Sequence, residues 1–190
     1  MPPFRLLILL LLWIPLPSSA GTDDIVRLEP VEGSRVKLGT TQGVIDADPE
    51  TIFRVLTDYE HYAEFMPRTE KAEVRERMTD RVVFFSHLGM PILIEDVEYL
   101  CEAKFASDHR SVEFRMVPGS GKGVRQFHGS WKLEPFGTEP GKTLVTYRVF
   151  FDPMRGYAPW LFDLGTKHSL AKVIGAVRKR VGSAAAGDQK

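Results

Sequence analysis

From Lys71 to Phe151 the chain is dominated by two-residue alternation; from Tyr157 it switches to a helical period and keeps it to Val181. Trp160, Leu164, Leu170, Val173, Ile174, Val177 and Val181 recur at spacings of three, four and seven, which puts most of them on one stripe of a helix. That switch narrows the fold severely. A long antiparallel sheet followed by one amphipathic helix has to bury the helix on the sheet, because neither has another apolar surface to cover it. Between the two there is room for a solid core or for a cavity, and which of these it is decides what the chain can do.

The segments before the switch fit the same picture. Gly21 to Gly33 is polar and reads as a flexible lead-in, and Arg35 to Ile45 as a first strand with a turn or bulge at Gly39-Thr40-Thr41. Asp48-Pro49-Glu50 then opens a helix: an N-cap carboxylate, a proline where its missing N–H is harmless, and an acid in the first turn. Ile52, Phe53, Val55 and Leu56 supply its buried side, and a second short helix carries Tyr59, Tyr62, Phe65 and Met66 up to Pro67. Strands follow, with inward rows Val83-Phe85-His87, Leu93 to Phe105 by odd numbers, Val112-Phe114-Met116, Phe127-Gly129-Trp131-Leu133 and Val145-Tyr147-Val149-Phe151. The class is α+β: a curved antiparallel sheet of about seven strands, two short helices after the first, and a long C-terminal helix across the sheet. One domain spans residues 34–182, and 183–190 reads as a disordered tail.

The N-terminus is read apart from the fold. Arg5, the apolar run Leu6 to Ile14, the breakers Pro15 and Pro17, and Ser18-Ser19-Ala20 have the layout of an export signal at residues 1–20, cleaved before Gly21. Nine apolar residues reach only about half of the roughly 20 that cross a bilayer as a helix. An exported, periplasmic or extracellular protein is expected. Losing that segment removes only Arg5 from a balance of 25 Lys plus Arg against 25 Asp plus Glu, so nothing draws the chain to nucleic acid. Cys101 is alone, so the fold rests on its core and not on a disulfide.

The order strand, two short helices, strands, long helix resembles the helix-grip fold of the START-like superfamily, which includes the birch pollen allergen type. Val44 to Pro67 (VIDADPETIFRVLTDYEHYAEFMP), Gly129 to Pro135 (GSWKLEP) and Leu144 to Pro153 (LVTYRVFFDP), with the APW at Ala158 to Trp160, look like its polyketide cyclase/dehydrase and coenzyme Q-binding branch. The resemblance implies an apolar small molecule, such as a lipid, isoprenoid or polyketide-like compound, held between sheet and C-terminal helix. Some members are enzymes and many are carriers.

The residues expected at such a pocket are Phe65, Phe85, His87, Glu95, Val97, Tyr99, Phe114, Met116, Arg125, Phe127, Trp131, Tyr147, Trp160 and Leu164. By strand parity Glu95 and Arg125 point inward. A buried charge needs a partner or water, so they either orient a ligand head group or sit at strand ends where alternation has lapsed. His87 is either a general base or a solvated strand-end histidine. Tyr59, Tyr62, Phe65, Met66, Tyr157 and Trp160 either close the core at that end or form an aromatic patch for transient membrane contact. No HExxH or HxH pairing suggests a metal, and Gly119-Ser120-Gly121-Lys122 reads as a hairpin turn because it lacks P-loop spacing and a following helix. No cofactor and no catalytic residue is expected. The alternative to a carrier is a cyclase or dehydratase acting in the same cavity through His87, Glu95 or a tyrosine.

Overall fold

A computed structural model of the chain describes residues 24–90, 95–138 and 141–187; the expected export signal lies outside them. Among the described residues eight strands form one antiparallel sheet: β1 (Ile25–Pro30), β2 (Lys37–Ile45), β3 (Thr69–Arg77), β4 (Arg81–Leu88), β5 (Val97–Phe105), β6 (Ser111–Met116), β7 (Val124–Pro135) and β8 (Thr143–Pro153), in the order β1-β2-β8-β7-β6-β5-β4-β3. Helices α1 (Pro49–Leu56) and α2 (Tyr62–Phe65) lie between β2 and β3, and α3 (Pro159–Gly187) closes the chain. The α+β architecture read from the sequence is the one observed.

Two boundaries differ from the reading. The polar lead-in contains β1, which adds an eighth strand by pairing with β2 from Ile25↔Gln42 to Pro30↔Lys37. The C-terminal segment expected to be disordered continues α3 as far as Gly187.

The start of α1 is built as its sequence dictates. Asp48 Oδ1 accepts from the Thr51 amide at 2.9 Å and Oδ2 from the Thr51 hydroxyl at 2.8 Å, with Pro49 in the first turn. These bonds hold the Asp48 carboxyl below its usual range, the backbone bond from Thr51 contributing most. A 3₁₀ turn at Tyr59–His61 leads into α2, and the Tyr62 hydroxyl donates to the Leu56 carbonyl, folding α2 back onto α1.

β2 carries small residues so that α3 can lie close to it. A Cβ on Gly39 would come within 2.6 Å of Leu170 Cδ1, and one on Gly43 within 2.8 Å of Ile174 Cγ2. Gly39 therefore marks a close helix–strand approach inside a regular strand, and not the turn or bulge that Gly39-Thr40-Thr41 suggests. Leu170, Val173, Ile174, Val177 and Val181 bury against β2 and α1. Arg178 fixes the contact by donating to the Val44 carbonyl at 3.1 Å and to Asp24 at 2.8 Å.

Candidate functional site

The buried row of α3 begins only at Leu170. Trp160 is 69% exposed and Leu164 60%: at about 100° per residue they stand roughly 80° and 120° round the helix from Leu170, off the row that buries Leu170 onward, because six residues separate Leu164 from Leu170. In these first turns Leu161, Phe162, Gly165, Thr166 and Ser169 instead bridge a hollow between the helix and the β4–β8 part of the sheet. Its volume is about 210 Å³. That exceeds the roughly 150 Å³ engineered cavity that admits benzene and falls short of the roughly 300 Å³ at which drug-sized sites begin. As it stands it takes a ring or a slender chain; a bulkier guest requires the first turns of α3 to move.

Aromatic rings wall the hollow. Trp131 packs on Tyr147 with centroids 4.2 Å apart, Tyr147 lies 5.8 Å from Phe114, and Phe114 lies 5.3 Å from Phe127. Phe127 meets Tyr99 at 4.7 Å and Phe151 at 6.3 Å, and Phe151 stacks on Phe162 of α3 at 6.1 Å. On the other flank Tyr59 stacks on Phe84 at 4.2 Å. The run of rings reaches from deep in the sheet to the underside of the helix, an apolar surface with a few polar points. The polar lining residues are Ser86, Thr69, Thr166, Ser169 and Arg68, with the tyrosines.

Burial pushes the phenols of Tyr59, Tyr62, Tyr99 and Tyr147 above their ordinary value; at Tyr99 a hydrogen bond with Ser86 opposes the shift in part. Burial likewise raises the Cys101 thiol, which is fully enclosed in the core and takes no part in the lining. Among the described residues the lining holds no carboxylate and no histidine. Its titratable groups are the phenols of Tyr59, Tyr62, Tyr99 and Tyr147 and the Arg68 guanidinium.

Of the residues expected from the sequence, Tyr99, Phe114, Phe127, Trp131 and Tyr147 line the hollow. Val97 is core, Phe65 packs partly buried beneath the Arg180 guanidinium, and Met116 packs against the core from the side of the outer groove. The remainder need correcting. β4 turns Val82, Phe84 and Ser86 inward, so Phe85 and His87 lie on the outer face, where Lys71 and Arg75 cover the Phe85 ring at 5.9 and 5.6 Å. Glu95 precedes β5, which starts only at Val97, and is 52% exposed beside Arg155 at 3.4 Å. Arg125 sits at a register shift between Val124 and Gln126; the irregularity turns it outward onto Asp152 at 3.0 Å. Neither forms a polar spot inside the hollow. Trp160 and Leu164 face solvent because the helix period carries them about 80° and 120° away from the buried row.

Two further clusters lie outside. A wider groove of about 970 Å³ crosses the outer face of the sheet, bordered by Glu102, Arg115, Arg125 and Arg148; it is open and charged. At the outer end of β4, His87 Nε2 lies 3.5 Å from Asp96 and 4.0 Å from Glu70. These ligand-type atoms fall within 4.8 Å of one another. The Asp96 carboxyl is held below its usual range first by the Met90 amide. One histidine flanked by two exposed carboxylates is accounted for as an ion-pair cluster, and its spacings are wider than the roughly 3.3 Å edge of a tetrahedral zinc site with bonds near 2.0 Å.

An open antiparallel sheet gripping one long C-terminal helix, with an apolar hollow between them, is the START-like arrangement. Solved structures share it. A STAR-related lipid transfer protein fragment from Xanthomonas axonopodis superimposes with a TM-score of 0.73 at 19% identity, over 84% of this chain and 94% of that one. Human STARD10 gives 0.72 at 15% identity, over 88% and 72%. The Zhui aromatase/cyclase from Streptomyces sp. R1128 gives 0.64 at 16%, over 76% and 93%. At such identities the likeness establishes the fold. No curated protein matches in sequence. The chain belongs to the polyketide cyclase/dehydrase and lipid transport family, which matches residues 45–165.

Proposed function

We propose that the protein is an exported carrier for a hydrophobic or amphipathic small molecule, a lipid, isoprenoid or polyketide-like compound, held between the sheet and the first turns of α3. The observation that carries this reading is the aromatic-walled hollow of about 210 Å³ under a helix end that exposes Trp160, Leu161 and Leu164. Binding is driven by desolvation: at about 25 cal/mol per Å² even partial burial of an alkyl chain gives several kcal/mol before entropic costs. Family membership supports a ligand of this class, and the make-up of the lining favours holding it over transforming it.

The exposed apolar residues at the mouth supply a route for loading. Trp160, Leu161 and Leu164 form an exposed patch on the first turns of α3, where Leu161 also lines the hollow. Trp at an interface with lipid sits at head-group level, so the patch rests on a bilayer while the guest passes under the helix. Export rests on the signal-like residues 1–20.

Native mass spectrometry of the protein purified from its own envelope tests the carrier reading. A bound apolar compound, released on denaturation, is the expected result. A protein that is ligand-free and takes up no alkyl or isoprenoid probe contradicts it.

A further inference from the structure

The hollow is apolar but its lining is not uncharged. Arg68 is the single charged residue lining it among the described residues, and it is exposed, so it stands where the hollow opens to water. Neighbouring arginines are neutralised: Arg125 by Asp152 and Arg155 by Glu95. Among the described residues the Arg68 guanidinium has no carboxylate partner.

Its backbone is unusual as well. Arg68 has φ +68°, the left-handed region that a residue with a Cβ adopts rarely. Pro67 holds Met66 extended (φ −73°, ψ 128°), and the Arg68 carbonyl accepts from the Gly89 amide at 2.9 Å, tying the start of β3 to the end of β4. Gly or Asn would fit this conformation with less strain. A long cation is there instead, on a fixed stub beside the opening, and an outlier of this kind points to a role. Its aliphatic stem can lie along the apolar rim while the planar head stays in water and offers paired donors to a carboxylate or phosphate.

We infer that the guest is an anionic amphiphile: a slender apolar tail in the hollow and one carboxylate or phosphate head held by Arg68. This rests on the carrier reading and narrows it. The head-group role that strand parity suggests for Glu95 and Arg125 passes to a residue whose significance only the fold reveals.

The test compares dodecanoate, dodecyl phosphate and dodecanol binding to the full-length protein and to Arg68→Asn, chosen because Asn tolerates φ > 0. Wild type is expected to bind one or both anions about tenfold tighter than the alcohol, with the gap narrowing at high salt. In Arg68→Asn the anions fall to the level of the alcohol, whose own affinity is unchanged. Dodecanoate alone showing the gap identifies a fatty-acid type of head, and dodecyl phosphate alone a phospholipid type. Alcohol bound as tightly as both anions by wild type, or a gap that survives in Arg68→Asn, overturns the inference and leaves the carrier reading standing. Failure of all three to bind, alcohol included, defeats the carrier reading itself.

Discussion

The two ends of α3 meet the sheet differently, because the apolar residues of its first turns are out of phase with the row that follows. From Leu170 to Val181 the helix is welded to β2: Gly39 and Gly43 let it approach, and Arg178 pins it to Val44 and Asp24. From Pro159 to Ser169 the same helix spans a hollow, with Trp160 and Leu164 turned to water. Among the described residues the first turns are tied to the sheet only by the Lys37–Asp163 ion pair and the Phe151–Phe162 stack, so they can give way there without losing the fold. Apolar residues share a helix face only while each step returns to it, and the six-residue step from Leu164 to Leu170 does not.

The largest expected effect probes how dry the hollow is. Tyr59, Tyr62 and Tyr99 are buried around it with phenols held well above their ordinary value near 10. In the unfolded chain they lose protons near pH 10 while in the native state they keep them. Stability is therefore intact below pH 10 and falls as pH rises above it, by about 1.4 kcal/mol per pH unit for each phenol. Urea denaturation between pH 9 and 11 reads this directly, and Tyr99→Phe should shallow the slope. A flat profile would mean that water already fills the bridged end.

Next comes the welded end. Ile174 is fully buried, and Ile174→Ala should cost about 2–5 kcal/mol, seen as a lowered midpoint in chemical denaturation. The smallest effect is expected at the bridging end. Trp160→Ser with Leu164→Ser should change stability by no more than about 0.5 kcal/mol, leave dodecanol binding in solution unchanged, and reduce co-sedimentation with lipid vesicles. Equal destabilisation at the two ends would erase the distinction between them.

Much of this was legible in the residues. The Asp48-Pro49 start of α1, the alternation of β5 to β8 and the closing helix follow from local rules that the tertiary structure leaves intact, and so five aromatic lining residues could be named. The misplacements have a common cause. Parity places side chains only while the ladder stays regular and only once it is known which face is covered. In β4 both rows contain a phenylalanine, Phe84 and Phe85, and only packing against Tyr59 settles which one is inside. The register shift after Val124 and the late start of β5 then turned Arg125 and Glu95 outward. Arg68 carries no periodic signal at all: its position depends on where the loop after α2 meets the end of β4.

The most direct test of the hollow as a binding site is to fill it from the bridging helix. Thr166→Phe with Ser169→Phe places two rings in the space from side chains that already line it. Dodecanol affinity, measured by displacement of a fluorescent alkyl probe, should fall at least tenfold while the denaturation midpoint holds within about 0.5 kcal/mol of wild type. Undiminished binding in that variant would contradict the account and put the guest elsewhere.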